Sequence, residues 1–287
     1  MKLLRLLLVA IFLLPSSWLP VPAVADEYPF PVAPEVPFVP TPEEVVAEML
    51  QLAQVSADDH LYDLGSGDGR IVITAAQEKG ATGIGIDINP VRIQESRQNA
   101  ARAQVTDKVE FIQSDLFEVD LREATVVTLY LLPNVNLRLR PKLFRELAPG
   151  TRVVSHDFDM GQWEPEESRR LSGHSVYFWV IPANATGTWT APGEEDLAFE
   201  LSQEFQKAQG TVTVHGQRLA ISEGSLQGDR LHLALAASPD GSPGPAVFEG
   251  RIEGDLLTGE IRSSSGATTA VRVQRDPATR QELDREG

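Results

Sequence analysis

The sequence predicts an α/β protein: a doubly wound, mostly parallel sheet followed by a small antiparallel β domain, either a barrel or a sandwich. Three observations predict it. From Leu61 to Phe158, short apolar runs alternate with helical stretches, the pattern of a parallel sheet covered on both faces. A glycine-rich turn, Gly65-Ser66-Gly67-Asp68-Gly69, follows the first of those runs and leads into a helix. Beyond Pro182 helical periodicity stops, and short alternating runs separated by Gly, Asp and Ser take over.

The first 25 residues predict a signal peptide. Lys2 and Arg5 give a positive start, and Leu3 to Leu14 is apolar but too short to span a bilayer comfortably. Ala23-Val24-Ala25 fits the small-x-small rule for cleavage, which makes Asp26 the first mature residue. An exported protein, periplasmic or secreted, is expected, with a membrane anchor as the alternative if the leader is kept. Residues 26–42 are proline-rich and read as an extended strap.

Residues 43–183 read as one domain. Thr41-Pro42-Glu43-Glu44 predicts a helix start with Thr41 and Glu44 as a capping box, and Val45, Val46, Met49, Leu50 and Leu52 recur at helical spacing. Strands follow at Leu61–Leu64, Thr82–Asp87, Val109–Gln113, Thr125–Leu132 and Thr151–Phe158. Helices fall at Arg70–Lys79, from Asn89 as cap to Ala103, and at Pro141–Leu147. Arg169–Leu171 and Ser175–Ile181 read as a closing antiparallel pair. Residues 184–276 read as the antiparallel β domain, with runs at Leu197–Phe205, Leu231–Ala236, Val247–Ile252, Leu256–Ile261 and Thr269–Val273. Gly228-Asp229 and Gly254-Asp255 are hairpin turns. Residues 277–287 read as a charged, fraying tail.

Composition narrows the function. The chain has 287 residues and a net charge of −16 spread along its length. That argues against nucleic acid as the main partner, because neutralising phosphates takes Lys and Arg; a basic protein partner suits it better. The one basic cluster, Arg138, Arg140, Lys142 and Arg145, reads as a solvated helix face. There is no cysteine, which excludes disulfides, thiolate metal sites and cysteine nucleophiles. The five histidines show no metal-ligand spacing such as HExxH, so no metal is expected. His60, His174 and His215 show no partners. Trp163, Tyr177, Phe178, Trp179 and Trp189 read as core or interface aromatics.

Three acids stand at the carboxyl ends of three successive strands, the edge where such folds bind ligands. Asp63 precedes the glycines and suits a cationic amino-acid moiety. Asp87 ends the second strand and can accept both ribose hydroxyls. Asp115, in Gln113-Ser114-Asp115-Leu116, can meet an adenine amino group while the neighbouring backbone reads the ring edge. Gly65, Ser66 and Gly67 allow close backbone approach, and helix N-terminal amides face the ligand. Acids without a basic pyrophosphate partner favour a sulfonium nucleoside over a dinucleotide, so S-adenosyl-L-methionine is the expected cofactor. Its expected contacts are Asp63, Gly65, Ser66, Gly67, Asp87, Ile88, Ser114, Asp115 and Leu116.

The chain resembles the class I, seven-strand methyltransferases with a Rossmann-like sheet. More narrowly it is similar to the protein-lysine methyltransferases that include archaeal broad-specificity enzymes and the mitochondrial enzyme acting on the ATP synthase c-subunit. The matching text is Pro37-Phe38-Val39-Pro40-Thr41-Pro42, Tyr62-Asp63-Leu64-Gly65-Ser66-Gly67-Asp68-Gly69-Arg70-Ile71-Val72 and Gly85-Ile86-Asp87-Ile88-Asn89-Pro90. The resemblance covers about residues 37–160 and implies cofactor contacts at Asp63, Gly65, Gly67, Asp87 and Asp115, with a protein lysine as acceptor. Tyr130-Leu131-Leu132-Pro133-Asn134 stands where many amino-methylating enzymes carry an Asn/Asp-Pro-Pro-aromatic block, which argues against nucleobase methylation. The candidate catalytic residues are Tyr130 and Asn134 after the fourth strand, and His156 and Asp157 after the fifth, where His156 could take a proton. A small-molecule acceptor, and a non-catalytic nucleoside-binding module of the same fold, are the alternatives. A dinucleotide oxidoreductase is disfavoured by the glycine pattern.

Overall fold

The computed structural model describes residues 35–191 and 193–284. The expected leader, and the strap through Pro34, lie outside the described residues. Seven strands form the first sheet: β1 (His60–Leu64), β2 (Thr82–Asp87), β3 (Val109–Gln113), β4 (Val126–Leu129), β5 (Arg152–His156), β6 (Glu167–Leu171) and β7 (His174–Val180). Their order is β3-β2-β1-β4-β5-β7-β6. The first five run parallel, and β7 is antiparallel to both β5 and β6. Four helices accompany them: α1 (Glu43–Leu52), α2 (Arg70–Thr74, continued by a π-helical turn through Lys79), α3 (Pro90–Ala103) and α4 (Pro133–Glu146). The central strands are buried on both faces, as their near-continuous apolar composition requires: all four residues of β4 are out of solvent. The strand order reverses between β1 and β4, so the carboxyl ends of β1, β2 and β4 border one crevice.

Two helix starts differ from expectation. Pro42 occupies the N-cap of α1 without a side-chain cap, and the Thr41 hydroxyl turns instead to His156. α4 begins at Pro133 and carries Pro141 inside it. Proline favours the first helical position, which made Pro141 look like a start; Pro133 fills that position, and Pro141 costs the helix one internal bond. Asn89 caps α3 as expected, accepting a hydrogen bond from Val91 N at 2.9 Å.

Nor is the basic face of α4 solvated throughout. Arg140 and Lys142 are buried, paired with Asp284 and Glu146, and the Arg138 guanidinium lies over the Phe117 ring.

The second part is a closed eight-stranded barrel of β8 (Gly187–Ala191), β9 (Glu194–Glu204), β10 (Lys207–Val214), β11 (Gln217–Gln227), β12 (Arg230–Leu235), β13 (Ala246–Glu253), β14 (Leu256–Arg262) and β15 (Thr268–Arg275), with β15 returning to β8. Closure removes the free edges an antiparallel sheet would expose. Trp189, Phe199, Leu233, Phe248, Leu257 and Ile261 fill the interior, which for eight strands is just wide enough for side chains. The strands β8, β10 and β11 were not legible in the sequence: β10 and β11 mix polar residues into the alternation, and their pairing shifts register between Lys207 and Thr211. The hairpin turns at Gly228-Asp229 and Gly254-Asp255 form as expected.

Phe205 of the β9–β10 turn packs with Phe144 and Trp163 of the first part, and Gly228 O accepts a hydrogen bond from Ala183 N at 2.8 Å. Over its described length the tail makes defined contacts. Pro277–Thr279 form a 3₁₀ turn, Gln281 O accepts from Asn184 and Thr186, and Asp284 reaches Arg140. No helix among the described residues is long and apolar enough to cross a membrane.

Candidate active site

β1 delivers Asp63 to the crevice and hands the chain to the glycine turn. Gly65 N and Ser66 N both donate to Ile86 O, at 2.8 and 2.9 Å, which folds the turn against the end of β2. Gly65 and Gly67 take φ of +85° and +53°, and a Cβ on Gly67 would lie 2.4 Å from the Phe38 ring. Only glycine gives that conformation and that approach at little cost. Phe38 comes from the strap, and the Arg92 guanidinium sits 4.5 Å from its centroid.

Asp87 knits the turn to β2. Its Oδ2 accepts from Gly67 N at 2.9 Å and its Oδ1 from Asn89 N at 2.8 Å. Burial raises its pKa, against those two bonds and the charge of Arg92. At the end of β3, Ser114 N donates to Asp87 O, and Asp115 Oδ1 accepts from Phe117 N at 2.9 Å. The structure thus brings Asp63, Gly65, Ser66, Gly67, Asp87, Ile88, Ser114, Asp115 and Leu116 to the carboxyl ends of three adjacent strands.

Two features test whether this crevice suits S-adenosylmethionine. Asp63 is buried, and a single side chain, Thr128, donates to it, at 2.8 Å. Burial, reinforced by the charges of Asp87 and Asp68, pushes its carboxyl up to about 7. An ammonium beside it would relieve that penalty. Ser66 Oγ is buried without a hydrogen-bond partner. A cationic amino acid attached to a nucleoside fits both.

Across β4 and β5 stand the residues expected to do chemistry. Tyr130 follows β4, and its ring lies 3.8 Å from that of His156, tilted by 36°. Burial, helped by the Asp157 charge, raises the Tyr130 pKa and keeps the phenol protonated. His156 is fully buried at the end of β5. Its Nδ1 is 3.1 Å from Thr41 Oγ1 and its Nε2 is 2.9 Å from His174 Nδ1. Burial lowers its pKa to about 4. Asp157 adopts a left-handed φ of +62°, held by bonds to Ser175 N and O. Its other carboxylate oxygen is 3.0 Å from His174 Nδ1. Tyr130, His156 and Asp157 therefore meet. Asn134, exposed in the first turn of α4, stands outside their contacts.

Sequence reasoning missed Phe38, Thr41 and His174 at this site. His174 was legible in principle: an antiparallel β7 in register with β5 pairs Val176 with His156 and so returns the start of β7 to the end of β5.

The family model described as the ANTKMT methyltransferase domain matches residues 63–167. A protein-lysine N-methyltransferase of Saccharolobus islandicus is 50% identical over 153 residues, 52% of this chain and 95% of the relative. The human lysine N-methyltransferase of the ATP synthase c-subunit is 36% identical over 146 residues, 50% of this chain and 62% of the relative. A crystal structure described as an RNA methyltransferase from Salinibacter ruber in complex with S-adenosyl-L-homocysteine is 57% identical. It matches with a TM-score of 0.50, over 55% of this chain and 99% of that one. Half identity across nearly the whole of a relative, together with the strand order and the acid-edged glycine turn, decides the matter: the chain belongs to the S-adenosylmethionine-dependent protein-lysine methyltransferase family.

Proposed function

We propose that the protein methylates a lysine side chain of a protein substrate, outside the cytoplasm. The observation that carries the acceptor is the 50% identity to a protein-lysine N-methyltransferase. The net charge of −16 agrees with a basic segment as substrate. The N-terminal segment motivates export, and with it periplasmic, secreted or membrane-proximal substrates.

In this reading Asp63 pairs with the ammonium of the amino-acid moiety, Asp87 with the ribose hydroxyls and Asp115 with the adenine amino group. Gly65 and Gly67 let the backbone approach, and Ser66, Ile88, Ser114 and Leu116 line the pocket. S-adenosylmethionine, when bound, supplies a methyl group on a sulfonium, already an excellent leaving group. The chain's own task is to hold an amine in line with that methyl and to exclude water. The lysine must be neutral to attack, and entry beside the apolar rings of Tyr130 and Phe158 favours its deprotonated form. Tyr130 orients the amine, with Asn134 at the rim. His156, neutral and engaged at both ring nitrogens, supports the Tyr130 ring rather than taking the proton. Asp157 fixes the turn after β5 through Ser175 and faces His174 beside the mouth.

The experiment is incubation with methyl-labelled cofactor and two substrate pools, a membrane-and-periplasmic protein extract and total RNA. Label on protein lysine, located by mass spectrometry, supports the reading. Label confined to RNA sinks it in favour of the activity ascribed to the Salinibacter ruber structure. In parallel, Asp87→Ala should abolish S-adenosylhomocysteine binding by calorimetry; unchanged binding refutes the site.

A further inference from the structure

The geometry points to a divalent transition-metal site of the Zn²⁺ class at His156, Asp157 and His174, a function beyond methyl transfer. The three facing atoms form a near-equilateral triangle. His156 Nε2 is 2.9 Å from His174 Nδ1, His174 Nδ1 is 3.0 Å from Asp157 Oδ2, and Asp157 Oδ2 is 3.4 Å from His156 Nε2. All the candidate ligand atoms lie within 4.8 Å of one another. A tetrahedral Zn²⁺ with arms of about 2.0–2.1 Å needs ligand atoms roughly 3.3 Å apart, close to the spacing observed.

Protons cannot satisfy this triangle. A neutral imidazole nitrogen carries either a proton or a lone pair. If His174 Nδ1 holds the proton, the His156 Nε2 lone pair faces the carboxylate; if His156 Nε2 holds it, the His174 lone pair faces the carboxylate. Each of these leaves two lone pairs opposed across one edge. If both facing nitrogens hold the proton, in two neutral rings, both N–H groups can point at the carboxylate but oppose each other at 2.9 Å. Every placement of protons around an ionised Asp157 therefore leaves one edge repulsive. One cation at the centre satisfies all three edges. Two imidazoles and a carboxylate are the ligand types that suit Zn²⁺, Fe²⁺ or Ni²⁺ rather than Ca²⁺ or Mg²⁺.

The surroundings have the form of a metal site. Thr41 Oγ1 stands at the far nitrogen of His156, where it can accept Nδ1–H and leave the Nε2 lone pair free for a metal. Ser175 N fixes the second oxygen of Asp157. The His174 and Asp157 side chains are 31% and 27% exposed, which opens one face of the triangle to solvent for entry and for a further ligand. Such an ion would pin the end of β5 to the start of β7, beside the Tyr130 ring.

The test uses the full chain without a polyhistidine tag, stripped with a chelator and titrated with Zn²⁺ against a chromophoric competitor, then with Co²⁺ followed by visible absorption. One tightly bound equivalent is expected, with the intense Co²⁺ bands of a four-coordinate site. His174→Ala and Asp157→Asn should abolish both signals, and Thr41→Val should weaken Zn²⁺ binding by about 10–100-fold. Absence of stoichiometric binding overturns the proposal, as does wild-type binding in His174→Ala, which would put the ion elsewhere. If Asp157→Asn fails to fold, the half-exposed His174 decides alone. None of these readouts depends on methyl transfer.

Discussion

Arg140 and Asp284 form a bidentate ion pair, at 2.5 and 2.8 Å, with side chains only 7% and 4% exposed. Arg140 lies on α4 in the first part of the protein, and Asp284 comes from the segment that follows the barrel. The same guanidinium donates to Met160 O at 2.6 Å and sits 4.9 Å from the Phe205 centroid. One side chain thus joins the methyltransferase sheet, the barrel and the C-terminal segment.

Removing one partner of this pair leaves a buried charge uncompensated. Asp284→Ala should cost about 3–5 kcal/mol of unfolding free energy. Arg145→Ala, which removes an exposed guanidinium from Glu146 while Lys142 still pairs with that carboxylate, should cost less than about 1 kcal/mol. Chemical denaturation of both variants checks the contrast; equal midpoints would show that the tail is not a stabilising element.

Asp63 makes cofactor binding depend on pH. Its carboxyl is raised to about 7, so near neutral pH part of the protein holds a proton there. A ligand ammonium favours the ionised form and expels that proton. Affinity for S-adenosylhomocysteine should therefore rise with pH, by up to about tenfold per unit below the raised pKa, and level off above it. The folding linkage has the opposite sense. The raised pKa favours the folded state below the carboxyl's ordinary value, and that contribution is lost as pH climbs through about 7. Calorimetry in buffers of different ionisation enthalpy reads the released proton directly. Asp63→Asn should abolish the release, and an unchanged pH profile in that variant would place its origin elsewhere.

The Gly67 turn and the Phe38 strap should be energetically coupled. Gly67→Ala places a methyl against the Phe38 ring and imposes the left-handed φ on a side chain. S-adenosylhomocysteine should bind at least tenfold more weakly. Phe38→Ala in the same chain should recover part of the loss, giving an interaction energy of about 0.5–3 kcal/mol in a double-mutant cycle. Strict additivity would mean that the strap does not bear on the turn.

The barrel closes through its shortest seam, where β15 meets β8 at Gln274↔Thr190 and Arg275↔Trp189. Arg275 reinforces it: its guanidinium lies 4.4 Å from the Trp189 ring and donates to Asn184 O and Gly254 O, at 2.7 and 2.8 Å. Arg275→Ala should raise hydrogen exchange in residues 187–191 and 268–275 well before the rest of the chain. Uniform exchange across the barrel would show that the seam is no weaker than its neighbours.

The parallel sheet and the glycine crevice were legible because they rest on local signals: apolar runs of strand length, a cap at Asn89, a glycine turn that demands positive φ. The helix at Pro133 was hidden by a second proline, and the strands β10 and β11 by a register shift. What the sequence could not reveal was long-range pairing. Thr41 looks like a helix cap until His156 arrives from 115 positions away. Arg140 looks like a solvated cation until Asp284 covers it. His174 is the intermediate case, reachable from the sequence once β7 is paired in register with β5.

The barrel encloses rings, not room. Trp189, Phe199 and Phe248 are buried in its middle, the two phenylalanines edge to face, so side chains occupy the space that wider barrels leave for a ligand. Its outside wall carries exposed ion pairs: Glu200 of β9 reaches Arg218 of β11 across β10, and Asp229 of the β11–β12 turn reaches Arg251 of β13. Residues on that wall can be exchanged without disturbing the packed interior, so the barrel's surface charge is free to vary while its shape is kept.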